Sequence, residues 1–210
     1  PTGKPVAMVH CNTCTSDLDA YVKLFAEVLA NSGVEVNKPA LYDMLYAEAL
    51  KGDADCNGII SFNYYSGEPV TDTAEGRPLL VRMPDSKFSL ANFMRAQLYG
   101  TMATLRLGMN ILFDKENVKI EKLLGHGGLF KTPVVGQKLM AGALNTPVAV
   151  METAGEGGAW GIALLAAYMV NKNNEPLEDY LENKVFAEYK ASVIEPDKVD
   201  VDGFNEYIKR

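Results

Sequence analysis

An α/β fold is the class that the sequence predicts, and the stretch from residue 118 to residue 170 carries the clearest signs. The pattern there alternates strand, helix, strand and helix. This order implies parallel strands joined by a right-handed crossover, with helices covering the sheet. Three glycines, Gly125, Gly127 and Gly128, separate the first of these strands from its helix. Glycines at such a turn let a ligand lie directly on the main chain, and α/β proteins bind nucleotides at this place.

Before residue 118 the sequence predicts three helices and three short strands. Apolar residues recur at helical spacing in each predicted helix, and Ser89 stands where it can cap the longest of them. Thr15 or Ser16 is expected to cap the first helix. The last strand begins at Pro78, which places it at a sheet edge. The helices are expected at about 15–30, 39–50 and 89–112, and the strands at 5–9, 58–62 and 78–83.

After residue 118 the pattern predicts a strand at Val118–Leu124 and, beyond the glycines, a helix from Pro133 to about residue 144. Thr132 is expected to cap this helix. A strand at 147–150 and a helix at 159–170 follow, and this helix is apolar on nearly every side, which predicts that it is buried. From residue 171 the chain becomes charged, and we expect a helical, peripheral addition.

Composition excludes several kinds of protein. Among 210 residues, 48% are hydrophobic and 22% are charged, which is typical of a globular protein. The net charge of −7 argues against a nucleic-acid surface, which needs clustered Lys and Arg. No apolar run approaches the roughly 20 residues of a membrane span, so no membrane partner is expected. The ends, Pro1 and an apparent mid-helix stop at Arg210, lead us to expect a fragment of a longer, cytoplasmic protein.

Three cysteines leave two interpretations open. Cys11 and Cys14 have the Cys-x-x-Cys spacing of a zinc half-site or a redox pair, but only Cys56 and His126 remain to complete a site, and both are distant in sequence. The other interpretation is that the thiols are buried beside a strand. An odd number of cysteines makes a disulfide scaffold a poor hypothesis. We therefore expect no metal ligands in this chain, and keep a zinc or thiol-redox module as an alternative.

Three segments together resemble a known family. Gly127–Thr132, followed by a helix that carries Gln137, resembles the adenosine motif of FGGY carbohydrate kinases. The segment 152–167 is similar to the closing helix of that family, and Phe62–Glu68 resembles a segment typical of xylulose kinases, although Pro69 stands where those kinases usually have Arg. The matches keep the family's order and spacing from about residue 10 to residue 170.

The resemblance implies a ribonuclease-H-like (actin-like ATPase) fold, a three-layer α/β/α domain with a mixed sheet. By this correspondence, residues 1–170 are the carboxyl-terminal, nucleotide-side domain of the kinase, truncated at its amino end. Residues 171–210 are then expected to form a helical extension packed on the same domain.

The activity that the resemblance implies is transfer of the γ-phosphate of ATP, bound with Mg²⁺, to a sugar hydroxyl, with a ketopentose such as xylulose as the expected substrate. The family's catalytic aspartate lies upstream of the segment that matches Val6–Tyr21, so no catalytic residue is expected in this chain. The sugar contacts belong to the amino-terminal domain. The expected partners are ATP, a small sugar, the missing domain and, by analogy, a second copy in a homodimer.

The resemblance also implies which residues meet the nucleotide. Gly127 and Gly128 would back the ribose and adenine, and Leu129 would pack on the base. Thr132 falls where the family often carries a polar residue near the nucleotide, and Asp19 belongs to a segment that also approaches it. Lys131 is expected among the nucleotide-binding residues as well. Simpler interpretations remain open: a helix cap for Thr132, a solvated lysine for Lys131, and a first-turn acid favoured by the helix dipole for Asp19. The alternative for the whole chain is a non-catalytic, actin-like regulatory or assembly module.

Overall fold

The computed structural model describes residues 6–152, 157–187 and 190–210, and within them seven α-helices and five β-strands. The helices are α1 (Thr15–Asn31), α2 (Lys38–Ala49), α3 (Leu90–Asn110), α4 (Val135–Leu144), α5 (Gly157–Asn171), α6 (Leu177–Tyr180) and α7 (Lys198–Lys209). The strands are β1 (Ile59–Phe62), β2 (Leu79–Arg82), β3 (Leu123–Gly125), β4 (Val148–Met151) and β5 (Ala191–Ile194). A π-helical turn follows α3 at 111–115 and another follows α6 at 181–185. The predicted α/β class is confirmed.

The strands form two sheets. Strands β1 and β2 pair antiparallel, with Ile60 opposite Val81. The second sheet has the order β3-β4-β5, in which β3 and β4 run parallel and β4 and β5 run antiparallel. The parallel pair is joined through α4, so the crossover that the sequence predicts is present and the sheet is mixed.

Helix α3 lies at the centre of the hydrophobic core. Its first turn is capped as predicted, since the Ser89 side chain accepts a hydrogen bond from the amide of Asn92 at 3.2 Å. Leu98 and Met102 are fully buried, and this supports the use of methionine as core filler. Leu18 of α1 and Leu45 of α2 pack into the same cluster. The core therefore joins the three amino-terminal helices that the sequence predicts.

The carboxyl-terminal segment belongs to this core, which corrects the expectation of a peripheral addition. Phe204 of α7 is fully buried and its ring lies edge-on to that of Tyr99, with centroids 4.8 Å apart. The Tyr207 hydroxyl accepts a hydrogen bond from the amide of Ser61 at 3.1 Å. The segment also supplies β5, a strand where only helices were expected. Four charged residues of α7, Lys198, Asp202, Glu206 and Lys209, are exposed, so composition alone hid the buried face.

The exposure of α5 contradicts a second expectation. This helix is apolar on nearly every side, yet none of its described residues is buried, and Val170 is 83% exposed. Its aromatic rings contact the segment that follows it: Trp160 lies edge-on to Phe186, and Tyr168 packs at a tilt against Tyr180. Apolar composition favours burial only where another element is present to cover the helix. The predicted closing motif also includes residues 153–156, which lie outside the described residues.

Three other predicted features differ from the observed structure: one strand, the start of another strand and the cap of a helix. Residues 6–9 form no strand, and the remaining part of that prediction, Pro5, lies outside the described residues. Strand β3 begins at Leu123 rather than Val118. Helix α1 has Cys14 at its N-cap position, without a side-chain capping bond, rather than the predicted Thr15 or Ser16.

The buried carboxylate of Glu68 connects the amino-terminal segment to the loop before β2 through hydrogen bonds. Glu68 is 1% exposed, and its Oε2 accepts hydrogen bonds from the amides of Asn12 (3.0 Å) and Thr13 (3.1 Å) and from the Thr13 hydroxyl (2.9 Å). Hydrogen bonds to a charged acceptor are stronger than those between neutral groups. This contact holds the start of α1 in place.

The cysteines are all free thiols. Cys56 is buried as predicted, Cys11 is half-buried and Cys14 is exposed, which corrects the expectation of buried thiols for Cys14. Across residues 6–152, 157–187 and 190–210, no group of three or more His, Cys, Asp or Glu side chains is placed to hold a metal ion. A search of the same residues found no helix long and apolar enough to cross a membrane.

Candidate functional site

A cavity of about 1030 Å³ opens between the start of α1, the helix α2 and the turn after β3. Its size is at the upper end of the range typical of small-molecule sites. Three tyrosine side chains contribute to its walls, together with charged and hydroxyl groups. The residues that line it are Ser16, Asp19, Ala20, Lys23, Pro39, Tyr42, Asp43, Tyr46, Tyr65, Gly128, Lys131 and Thr132.

Four of the six predicted site residues meet at this cavity. Asp19 comes from α1, whereas Gly128, Lys131 and Thr132 come from the turn after β3, more than a hundred residues later. The fold therefore brings together two segments that sequence resemblance alone had placed near one ligand. Gly127 and Leu129 are not among the lining residues.

The turn after β3 needs glycine for its backbone conformation. Gly127 has φ 98° and ψ −172°, a region that residues with a Cβ rarely adopt. A Cβ added there would meet nothing within 4 Å, so conformation rather than crowding sets the requirement. Gly125 differs, because an added Cβ would lie 2.6 Å from the ring of Phe130.

Leu129, which is predicted to pack on a base, does not line the cavity. It lies in the 3₁₀ turn Gly128–Phe130, is 7% exposed and belongs to the hydrophobic core cluster. Successive residues of a 3₁₀ turn point about 120° apart, so Leu129 packs inward while its neighbour Gly128 borders the cavity.

Thr132 is not the helix cap that the sequence predicted. Helix α4 begins at Val135, and Val134 occupies the N-cap position without a side-chain capping bond. The Thr132 hydroxyl instead donates a hydrogen bond to Oδ1 of Asp43 on α2, at 2.7 Å. Thr132 is 8% exposed. This contact ties the turn after β3 to α2 across the cavity.

Asp19 forms a second polar group in the same cavity. Its carboxylate accepts a hydrogen bond from the Tyr42 hydroxyl and pairs with the Lys23 ammonium at 2.5 Å. Lys23 and then Tyr42 lower the pKa of Asp19, because both stabilise its charged form. Burial and the neighbouring Asp19 raise the pKa of Tyr42 to about 12. Asp19 is therefore ionised and Tyr42 is a hydrogen-bond donor at neutral pH.

Sequence reasoning missed the contribution of α2. Tyr42 and Tyr46 stand one helical turn apart, so both face the cavity, and Asp43 lies beside them. The sequence did contain a signal for this second face of α2. Tyr42, Asp43 and Tyr46 directly follow the buried residues Leu41 and Leu45. Spacing could show which residues share a face, but it could not show that this face borders a cavity.

Comparison with known proteins identifies the family. The model of the FGGY family of carbohydrate kinases, C-terminal domain, matches residues 1–170. The chain belongs to the FGGY family of carbohydrate kinases. A search of curated protein sequences found no match.

Solved structures of similar fold agree with this membership. The ligand-bound xylulose kinase from Lactobacillus acidophilus gives a TM-score of 0.72 at 19% identity, and the match covers 95% of this FGGY chain and 37% of that protein. The xylulose kinase from Rhodospirillum rubrum gives a TM-score of 0.69 at 20% identity, and the match covers 95% of this chain and 37% of that protein. Plasmodium falciparum glycerol kinase with ADP gives 0.62 at 18% identity, with coverage of 88% and 35%.

These likenesses confirm the fold of the FGGY chain, which is the actin-like ATPase fold expected from its motifs. At sequence identities near 20%, these likenesses show the fold and not the substrate. The chain also spans little more than a third of the length of the kinases that it matches.

Proposed function

We propose that this chain is the nucleotide-side part of an ATP-dependent carbohydrate kinase, which transfers the γ-phosphate of ATP to a sugar hydroxyl. The observation that carries the proposal is the cavity at which Asp19, Gly128, Lys131 and Thr132 converge. These residues come from the two segments that resemble the family's nucleotide contacts. Membership of the FGGY family supports the reaction class.

The lining of the cavity suits an adenine nucleotide. Gly128 presents bare main chain against which a nucleoside can lie, and the rings of Tyr42 and Tyr46 offer an apolar face. Lys23 and Lys131 place positive charge at the same cavity, which favours phosphate groups. Asp19 orients Lys23 by pairing with it.

Mg²⁺ would be held chiefly by the phosphate oxygens of the bound nucleotide, a common arrangement for this ion. When bound, it neutralises charge that develops on the transferred phosphoryl group. Phosphoryl transfer of this kind depends mainly on positioning and charge stabilisation. The residues of this chain would therefore hold and orient ATP, while the catalytic aspartate is supplied from outside residues 1–210. We expect the isolated chain to bind nucleotide without turning it over.

A ketopentose of the xylulose type is the sugar that we propose. The support is the segment Phe62–Glu68, which resembles xylulose kinases, together with structural likeness to several kinases of that name. A gluconate kinase and a glycerol kinase are also similar in fold. The domain limits at residues 170 and 171, a homodimer and a cytoplasmic location stay predictions.

The test is an ATP-turnover assay on the intact protein with D-xylulose, L-xylulose, ribulose, gluconate and glycerol as acceptors. We expect phosphorylation of a ketopentose with the highest kcat/KM in the panel. Turnover with gluconate or glycerol alone would keep the reaction class and replace the sugar. Absence of turnover with every acceptor, despite nucleotide binding, would favour the non-catalytic, actin-like module.

A further inference from the structure

Strand β2 has an open outer edge among the residues that the structure describes. Its inner edge pairs with β1, and the amides of Arg77 and Met83 extend this ladder by donating to carbonyls just beyond either end of β1, at 2.8 and 3.1 Å. Successive residues of an antiparallel strand direct their N–H and C=O groups to opposite edges. Leu80 and Arg82 therefore direct theirs to the open edge, where the described residues supply no partner strand.

Hydrogen bonding at this edge is confined to a short stretch. Pro78 and Pro84 stand at the next two positions that would direct an N–H outward, and proline has none to donate. An antiparallel copy of β2 can pair with Val81 opposite Val81, so that Leu80 of each copy lies opposite Arg82 of the other. Each of the two Leu80–Arg82 pairs then exchanges two backbone hydrogen bonds, and no proline lies opposite a hydrogen-bonding residue.

The side chains of the same stretch form an exposed apolar stripe. Leu79, Val81 and Met83 share one face of the strand and are 53%, 38% and 49% exposed. In the register centred on Val81, Leu79 of each copy lies opposite Met83 of the other. An exposed apolar edge strand is a template for pairing with another chain, and cross-strand apolar contacts stabilise such pairs.

Charged residues flank the stripe in a self-complementary order. Arg77 and Asp85 are equally far from Val81 on its two sides, and so are Glu75 and Lys87, and all four are exposed. With Val81 on a two-fold axis, each basic residue is opposite an acidic residue of the second copy. The ion pair between Arg77 and Glu75 within one chain is exposed and weak, so it can exchange. Charges at the rim of an interface select register and partner more than they add affinity.

Neighbouring registers oppose like charges. Moving the axis one residue toward the amino end sets Glu75 opposite Asp85, and moving it one residue toward the carboxyl end sets Arg77 opposite Lys87. Either shift also sets a proline opposite a hydrogen-bonding residue, which leaves a carbonyl without its donor. Charge and hydrogen bonding thus favour the same register.

We infer that the outer edge of β2 pairs antiparallel with the same edge of a second copy, which gives a homodimer with a continuous sheet β1-β2-β2-β1. The occupant is a second copy because this edge is complementary to itself in hydrogen bonds, apolar contacts and charge. A two-fold axis at Val81 makes the interface isologous. The described residues that line the cavity lie outside β2, so the inference is independent of the proposed function.

The first experiment is sedimentation velocity of the intact protein over a concentration series. We expect a dimer whose population rises with concentration, because an interface built on one strand pair is small. Hydrogen exchange should show the amides of Leu80 and Arg82 gaining protection over the same concentrations. A wild type that stays monomeric at every concentration would overturn the inference.

Charge reversal tests the register. Arg77→Asp and Asp85→Arg each set like charges opposite one another, and each should raise the dissociation constant of the dimer at least tenfold. An equimolar mixture of the two variants should dimerise as the wild type does, because the mixed pair has opposite charges at both contacts. Misfolding cannot explain recovery on mixing. Dimerisation of either variant at the wild-type level, or a mixture that does not dimerise, would contradict the pairing.

Glu27→Arg is the matched control, because it reverses one exposed charge on α1 and should leave the dissociation constant unchanged. Val81→Lys places like charges on the two-fold axis and should abolish the dimer. A dimer that survives these β2 substitutions and is lost in Ile162→Gln/Val170→Gln would assign the contact to α5 and overturn the inference. Neither result affects the proposed function, which the ATP-turnover assay tests separately.

Discussion

Single residues at the cavity, and in the glycine turn beside it, act through backbone conformation and hydrogen bonding rather than through bulk. Gly127 is required for its φ of 98°, although the space around it is open. Thr132 has one proton, and its direction is set by a carboxylate from another helix. Asp19 keeps its charge because an ammonium and a phenol both stabilise it. At this scale the site is a set of local conformational and hydrogen-bonding constraints.

Gly128→Val tests whether the bare main chain at the cavity seats the nucleotide. Gly128 lies outside the positive-φ region, so a valine can adopt its backbone conformation. Its side chain would enter the cavity, and we expect KM for ATP in the intact enzyme to rise at least tenfold while KM for the sugar changes little. Gly158→Val is the control, because an added Cβ there meets nothing within 4 Å and the residue is distant in sequence from the lining. Equal effects on both substrates would indicate misfolding.

Asp17 links stability to pH. This carboxyl is buried and its Oδ1 has no hydrogen-bond partner. Burial, only partly offset by backbone hydrogen bonds from Tyr65 and Cys14, raises its pKa from 3.8 to about 6. Between these two values the folded state holds a proton that the unfolded state has lost, so the contribution of Asp17 to stability is complete below about pH 4 and is lost as pH rises through about 6.

Asp17→Asn should remove this dependence. A shift of roughly two pKa units corresponds to at most about 3 kcal/mol, at about 1.4 kcal/mol per unit. We expect urea unfolding of the wild type to give a lower free energy of unfolding at pH 7 than at pH 4.5, with a smaller difference in the variant. If the free energy of unfolding fell by the same amount in wild type and variant between these pH values, the effect would belong to other titratable groups.

At the scale of elements, α7 contributes a buried ion pair to the core. Asp200 of α7 accepts a hydrogen bond from the Arg95 guanidinium of α3, and both side chains are under a tenth exposed. Arg95 also donates to the Tyr99 hydroxyl at 2.8 Å. A buried pair of this kind adds little net stability over apolar residues, but removing one partner leaves an uncompensated charge.

Asp200→Ala should therefore destabilise the chain by about 3 to 5 kcal/mol, measured by chemical unfolding. The double variant Arg95→Met/Asp200→Leu removes both charges and should recover a large part of that loss. Asp202→Ala is the control, because Asp202 pairs with Lys198 at an exposed position and should cost less than about 1 kcal/mol. A double variant no more stable than Asp200→Ala would contradict this account of the pair.

At the scale of the whole molecule, burial is uneven. The amino-terminal helices, α4 and α7 share one core, whereas α5 exposes an apolar surface that includes Ile162 (69%) and Val170 (83%). Exposed apolar surface of this extent promotes association. Because these side chains contact so little, they should contribute little to the stability of the isolated chain.

The double variant Ile162→Gln/Val170→Gln tests whether the exposed side chains of α5 contribute to stability. We expect the free energy of unfolding to change by less than about 0.5 kcal/mol, since surface substitutions seldom do more. Light scattering should report less self-association than in the wild type. Leu139→Gln in α4 is the contrasting variant, because that side chain is fully buried and its replacement should be severely destabilising. A melting temperature that falls equally in both variants would show that α5 is covered in solution.

Sequence reasoning predicted the local elements well. Apolar spacing predicted α1 to α4, an apolar run that begins at Pro78 predicted β2, and the order of elements predicted the parallel pairing of β3 and β4 through α4. Asp19, Gly128, Lys131 and Thr132 were also predicted, through motifs at fixed positions. These features depend on neighbours within a few residues, or on a residue type that a backbone conformation demands.

What the chain's own order of residues determined is thus the class of fold, most of its helices and strands, and the glycine turn that borders the cavity. Only the tertiary structure decided that Leu129 packs inward, that α7 enters the core, that α5 is exposed, and that Asp43 reaches Thr132. Burial and hydrogen-bond partners depend on which element covers which, and those elements lie tens of residues apart. Local periodicity determines the secondary structure that each segment prefers, whereas packing alone determines which other segments it contacts.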